Sequence, residues 1–177
     1  MAQQQTAYDR MSRLNHWLVA VLMIGMLAGG IYMSQFLPRG PEKQTFMGIH
    51  KSIGLVVLIL GSWRVYWRLR QGFLAAVQDG WQTKLAHWAH VILLVGIVVM
   101  PMSGVMMSYF GGREIGVFGL FAIPGGPEIS ALKSLGGAVH GIFAKLMIAT
   151  VLLHILGALK HVVMDKDGTW SRMTGRS

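Results

Sequence analysis

Four long apolar runs limit the folds open to this chain more than any other feature of its sequence. Each is about 18 residues or longer, enough for a helix to cross roughly 30 Å of hydrocarbon. The runs predict helices over about 12–37, 46–70, 82–110 and 134–164. Charged residues make up only 13% of the chain, whereas a soluble domain has about a quarter. The sequence therefore predicts an all-α integral membrane protein folded as a four-helix bundle.

Little chain remains outside these runs. We expect a single transmembrane domain over residues 8–173, with polar tails at 1–7 and 174–177. The polar start and the long first run do not fit a cleavable secretory signal, so the first helix is expected to be retained. The connection at 111–136 is rich in Gly and Pro yet holds several large apolar residues. We expect it to fold over one end of the bundle at the membrane interface.

Basic residues are shared unevenly between the two ends of the predicted bundle. Ten lie at the end that holds both termini, and five lie at the other end. Lys and Arg concentrate on the cytoplasmic side of membrane proteins, so both termini are expected to be cytoplasmic. The formal net charge of +9 then reflects topology and not nucleic-acid binding, because the basic residues flank apolar runs instead of forming one patch.

The chain has no cysteine. This excludes disulfides, thiolate-ligated haem, Cys-ligated iron–sulfur clusters and covalently attached haem. Histidines are the remaining candidates for ligands, and each lies within or beside a predicted span; they are His16, His50, His87, His90, His140, His154 and His161. One histidine at membrane depth is more often a packing residue, but seven over four helices favour a site inside the bundle.

The spacing of these histidines predicts two levels. His140 and His154 are fourteen residues apart, so they share a helix face and lie about 21 Å apart along it. With the topology above, His50 lies at the outer level with His140, and His16 at the inner level with His154. Each level then offers one imidazole from each of two helices, as a haem iron with two axial histidines requires. The sequence predicts two b-type haems in the bundle core.

Basic residues near these levels are candidates to pair with the haem propionates, which need cations in a low-dielectric setting. Arg64 lies fourteen residues after His50 and is expected at the inner level, with Arg13 behind it. Lys51 and Lys145 are candidates for the outer level. Arg68 is expected instead to flank the membrane with its charge at the surface.

Several segments together resemble the bacterial cytochrome b561 family. They are "RLNHWL" in the first helix, "MGIHKSIGLVVLILGSWRVYWRLR" in the second, "LAHWAH" in the third, and the His140–His154 spacing in the fourth. The resemblance implies a di-haem b protein of the bacterial inner membrane that oxidises superoxide at the periplasmic face and reduces ubiquinone. It implies His50 and His140 as ligands of the outer haem, and His16 and His154 as ligands of the inner one.

The three other histidines are candidates for quinone contact. His87 and His90 are adjacent on one face of the third helix, and His161 is seven residues past His154. Near the inner haem they could donate hydrogen bonds and protons to a quinone. Either His87 or His90 could instead be a ligand in place of His16.

Three functions fit these features. In the first, the chain is an oxidoreductase that passes electrons from superoxide to ubiquinone. Lys51 and Arg113 would then help a mildly positive outer face attract superoxide. In the second, the chain is an electron-transfer subunit that links a periplasmic protein donor to the quinone pool. In the third, it is a haem-free transporter whose histidines bind a transition metal.

Overall fold

Four long helices form most of the described chain. The computed structural model describes residues 8–72 and 80–175. Within these ranges the long helices are α1 (Arg10–Gln35), α2 (Pro41–Gln71), α3 (Trp81–Tyr109) and α4 (Ser130–Lys160), and all four are long and apolar enough to cross a membrane. The predicted all-α membrane-spanning bundle is confirmed. The predicted tail at 1–7 lies outside the described residues, as do residues 176 and 177.

Local signals explain where the helices begin and end. Asp9 caps α1, because its carboxylate accepts a hydrogen bond of 2.7 Å from the backbone N–H of Ser12. α2 begins several residues before the predicted position because Pro41 occupies its first turn, where a proline costs no hydrogen bond. It ends at Gly72, whose φ of 72° is left-handed and suits a residue without a Cβ.

A seven-residue repeat organises the core into layers. The residues midway between the two predicted levels are Met23 in α1, Val57 in α2, Ile97 in α3 and Met147 in α4. All four are buried and belong to one apolar cluster, and Met147 is fully enclosed. A repeat of seven is the spacing at which neighbouring helices pack at a shallow crossing angle. The bundle therefore has an apolar layer between two levels that hold the histidines.

Glycines bring α3 close to both of its neighbours. Gly96 leaves room for the Met147 side chain, which lies against it. A Cβ added to Gly61 of α2 would lie 3.0 Å from the carbonyl oxygen of Ile97. That carbonyl has no helical donor because Pro101, four residues on, lacks an N–H. Small residues commonly allow such close approaches in membranes, where the hydrophobic effect does not drive helices together.

The outer surface of the bundle is apolar. Val21, Ile59, Trp88 and Leu156, one from each long helix, are 63–67% exposed. Apolar surface of this extent would be unfavourable in water and is the surface expected of helices that face lipid.

The α3–α4 connection folds over the N-terminal half of α2 as a short hairpin. Its antiparallel strands are β1 (Ile115–Val117) and β2 (Phe121–Ile123). Ser52 of α2 holds it: the Ser52 Oγ lies 2.9 Å from the Gly116 carbonyl oxygen and accepts a 3.1 Å hydrogen bond from the Phe118 N–H. The expectation that this segment covers one end of the bundle agrees with the structure, although the strands were not predicted.

At the inner end, α4 continues as a π-helical segment (His161–Asp165), which is followed by the short helix α5 (Thr169–Thr174). The Trp17 indole N–H donates to the Met173 carbonyl at 3.2 Å, and the Trp17 and Trp170 rings lie 5.8 Å apart. α5 therefore packs beside the start of α1. The sequence did not predict this helix.

Candidate functional site

The structure brings the four predicted ligand histidines together as two pairs. At the outer level the ring centres of His50 and His140 are 6.3 Å apart. At the inner level those of His16 and His154 are 6.2 Å apart. Each pair takes one residue from α4 and one from another helix, as the spacing argument predicts.

These separations can be compared with what one metal ion needs. A metal–imidazole bond is about 2 Å long and the ring centre lies about 1 Å behind its nitrogen, so two imidazoles on opposite sides of one ion have centres about 6 Å apart. Both observed pairs match that value. The spacing at each level therefore fits a haem iron with two axial imidazoles.

At the outer level, backbone and small residues surround the imidazoles. The Nδ1 of His140 is 2.9 Å from the Met100 carbonyl oxygen. A carbonyl can only accept, so Nδ1 carries the proton and Nε2 is left with its lone pair for a metal. The backbone also approaches closely: a Cβ added to Gly104 would lie 3.3 Å from Cε1 of His140.

A cleft beside His50 extends this level toward the bundle surface. It has a volume of about 260 Å³ and lies between α1 and α2. Gly25 and Gly29 line it, and a Cβ added to either would meet nothing within 4 Å. The cleft is therefore apolar and open, which suits the face of a porphyrin ring.

At the inner level, a third histidine and a guanidinium join the pair. The His90 ring centre is 5.2 Å from that of His154. An Nη of Arg64 donates to Nδ1 of His16 at 2.8 Å. The inner level thus differs from the outer one, because a cation faces the second nitrogen of His16 where a carbonyl faces that of His140. A guanidinium only donates, so Nδ1 of His16 is unprotonated in this contact. With iron on Nε2, Nδ1 would carry the proton and Arg64 would turn to another acceptor at the same level.

The other predicted cations lie at the ends of the bundle or on its surface. The Lys51 Nζ donates to the Glu114 carbonyl at 3.0 Å. Arg113 is exposed beside it, and Lys145 is exposed on α4. Arg13 is half-buried and packs against Gly175, so it lies toward the C-terminal segment.

The three quinone candidates lie in different surroundings. His90 belongs to the inner cluster, whereas His87 is exposed, with its ring 6.0 Å from that of Trp88. The Nδ1 of His161 is 2.7 Å from a carboxylate oxygen of Asp167 and 3.3 Å from one of Asp165. The helical adjacency of His87 and His90 therefore does not place them in one environment.

One residue of the site, Arg68, was misplaced by the sequence predictions, and another, Ser103, was missed. Arg68, expected at the surface, is only 6% exposed; it donates to the Gly72 carbonyl at 2.8 Å and lies over the Tyr8 ring. Its position follows from these contacts with the helix end and the N-terminal segment, which a flanking charge alone does not reveal. Ser103 was missed. It is buried, and its hydroxyl oxygen lies 3.3 Å from Nδ1 of His140. A hydroxyl beside Pro101 and Gly104 in an apolar run is the signal that could have identified it.

Comparison with known proteins identifies the family. The sequence profile described as prokaryotic cytochrome b561 matches residues 7–176, nearly the whole chain. The chain belongs to the prokaryotic cytochrome b561 family. Members of this family are electron-transfer membrane proteins that bind b-type haem, so this cytochrome b561 is a multi-pass bacterial membrane protein of the oxidoreductase type.

Individual relatives agree with this assignment. Cytochrome b561 homolog 2 of Escherichia coli strain K12 is 32% identical over 181 residues, which cover 96% of this cytochrome b561 and 92% of the relative. Cytochrome b561 homolog 1 of the same strain is 24% identical, over 91% and 93% of the two chains. A Yersinia pestis protein named "Probable superoxide oxidase CybB" is 29% identical, over 89% and 90%.

Proposed function

We propose that this cytochrome b561 holds two b-type haems, one between His50 and His140 and one between His16 and His154. The observation that carries the proposal is the separation of the ring centres, 6.3 Å and 6.2 Å, because two axial imidazoles on one iron need about 6 Å. When bound, the haems supply two one-electron centres, one in each half of the membrane.

The propionates of the inner haem would be held by Arg64, with Arg13 closer to the cytoplasmic end. Arg64 is supported by its 2.8 Å contact with His16, which puts its guanidinium at the inner level. Lys51 lies one residue from His50 and is the best-placed cation for the outer haem. Lys145 is exposed on α4, which favours a position at the lipid surface.

We propose that the reaction is the oxidation of superoxide coupled to reduction of ubiquinone. Two superoxide ions give up one electron each and leave as two dioxygen molecules. One ubiquinone takes both electrons with two protons and leaves as ubiquinol, so charge and atoms balance. The superoxide part is supported by the likeness to the Yersinia protein and by Lys51 and Arg113 at the outer end, where positive charge attracts an anion.

Ubiquinone would meet the chain at the inner level. Of the candidates, His90 is best placed, since its ring lies against that of His154. His161, paired with Asp167 at 2.7 Å, is suited to passing protons inward from the cytoplasmic end. His87 is exposed and would contact a quinone only at the edge of the bundle.

The proposed orientation puts both termini in the cytoplasm and the hairpin in the periplasm, with one domain over residues 8–173 in the inner membrane. Ten Lys and Arg at the end with the termini against five at the other end support this orientation, because basic residues concentrate on the cytoplasmic side.

The test follows haem and quinone together in proteoliposomes that contain ubiquinone, under an enzymatic flux of superoxide. Wild-type protein should show haem reduction followed by ubiquinol formation. Arg113→Gln should slow haem reduction and weaken its dependence on ionic strength, because less attraction remains to be screened. Lys133→Gln, which removes an exposed charge at the same end of the bundle, is the matched control.

Two results would redirect the proposal. Haems that stay oxidised under superoxide, but are reduced by a periplasmic protein donor, would assign the chain to the electron-transfer-subunit class. A purified protein without haem absorbance would instead support the third function, a transporter whose histidines bind a transition metal.

A further inference from the structure

The two levels present opposite groups to the second nitrogens of their histidines. The Nδ1 of His140 donates to the Met100 carbonyl at 2.9 Å. The Nδ1 of His16 faces the guanidinium of Arg64 at 2.8 Å. Arginine remains charged at any pH a protein experiences, so the cation is present at the inner level whichever nitrogen of His16 carries the proton.

Each contact acts on the affinity of a haem for an electron, with opposite signs. A carbonyl that accepts from Nδ1 makes the imidazole a more basic ligand. A more basic ligand stabilises the oxidised form, which carries one more positive charge than the reduced form, and so lowers the reduction potential. A guanidinium disfavours that extra positive charge by Coulomb repulsion and raises the potential. Iron on Nε2 of His16 would leave a proton on Nδ1, so the guanidinium, which only donates, would turn toward the propionates. The sign stays the same, because the cation then neutralises their charge.

Basic residues at the outer end do not cancel the difference. Lys51 donates to the Glu114 carbonyl, and the charged groups next to that carbonyl are Arg113 and the carboxylate of Glu114, which have opposite signs. Both neighbours are exposed, so water screens them. Arg64 is half-buried and contacts the ligand ring directly. Lys51 is also half-buried, but its ammonium is hydrogen-bonded to a backbone carbonyl and not to a ligand ring.

We infer that the charge of Arg64 beside His16 and the hydrogen bond from His140 to the Met100 carbonyl make the inner haem the higher-potential centre. This ordering rests on the proposed di-haem function. It makes electron transfer from the outer level to the inner level energetically downhill. Arg64 is a positioning residue in this scheme, because it acts through His16 and the haem without touching the substrate.

The test is a redox titration of purified protein, which needs no superoxide. We expect two one-electron waves. Arg64→Gln should shift only the higher wave, downward, by at least a tenfold change in its equilibrium constant, which is 59 mV for one electron. Arg64→Lys keeps the charge and should restore most of the shift. Arg70→Gln removes the same charge from an exposed site on the same helix and should leave both waves in place.

The outcomes separate the ordering from the function. A shift of the lower wave in Arg64→Gln, or of neither wave, would overturn the inference. If this variant loses a haem, the wave that disappears must be the higher one; loss of the lower wave would refute the ordering just as directly. A single haem per chain in the wild type would refute the di-haem proposal itself. Failure of superoxide to reduce haems that titrate as expected would remove the superoxide assignment and leave the ordering intact.

Discussion

The close approach of Gly104 to His140 makes a sharp prediction about haem binding. A Cβ at residue 104 would lie 3.3 Å from Cε1 and 3.4 Å from Nδ1 of the imidazole, whereas carbon atoms in contact prefer about 3.5–4.0 Å. Gly104→Ala must therefore move the ring by a few tenths of an ångström. Metal–ligand distances tolerate only about 0.2 Å. We expect the outer haem to bind about tenfold more weakly, the lower end of the range for residues that support metal ligands.

Two other glycines provide a graded comparison. A Cβ at Gly30 would lie at an ordinary 3.7 Å from Cε1 of His50, and one at Gly29 would meet nothing within 4 Å. Gly30→Ala should cost little haem affinity and Gly29→Ala none. Alanine favours a helix over glycine by about 1 kcal/mol, so loss of haem in Gly104→Ala cannot be attributed to a weakened helix.

The measurement is a titration of haem-depleted protein in detergent, followed by absorbance, with pyridine haemochrome counts at saturation. Gly104→Ala should lose affinity at one of two sites only. Equal affinities in Gly104→Ala and wild type would refute the packing argument, and equal losses in Gly104→Ala and Gly29→Ala would show that the glycines act through helix flexibility.

Three further predictions concern stoichiometry, topology and pH. Haemochrome analysis should find two haems per chain in the wild type and one in His50→Ala; a wild-type count of one would contradict the two-level scheme. A C-terminal reporter should be active in the cytoplasm, and periplasmic activity would invert the levels. Burial alone would raise the pKa of Asp167, but hydrogen bonds from Thr169 and His161 outweigh it and hold the pKa below its ordinary value of 3.8. A carboxylate with a lowered pKa stabilises the folded form above its unfolded pKa, so the docking of α5 should be constant above about pH 5 and weaken below about pH 4. Trp170 fluorescence would report this, and Asp167→Asn should remove the pH step.

The levels of the histidines could be predicted because helical geometry is rigid. Fourteen residues return a side chain to nearly the same face, so His140 and His154 follow from the sequence alone, as does the place of Arg64 relative to His50. Pairing across helices needed only the direction of each helix, which alternates in a bundle with short connections.

The contacts of the second nitrogens could not be predicted in this way. The bond from His140 to the Met100 carbonyl depends on how far α4 is shifted along α3, and the periodicity of one helix carries no information on that shift. The same holds for His87 and His90, which are neighbours in sequence but differ in burial because only one of them faces α4. The hairpin was missed because its strands are three residues long, too short for an alternating pattern.

The layer formed by Met23, Val57, Ile97 and Met147 has a consequence for the energy of the cell. Its members are buried hydrocarbon and thioether side chains, which offer a proton neither a strong acceptor nor space for ordered water. Protons need a relay of such groups to cross a membrane, whereas an electron can tunnel through packed side chains. The layer is therefore suited to blocking protons while an electron could still tunnel across it. Electron transfer between the two proposed haems would then leave the proton gradient intact.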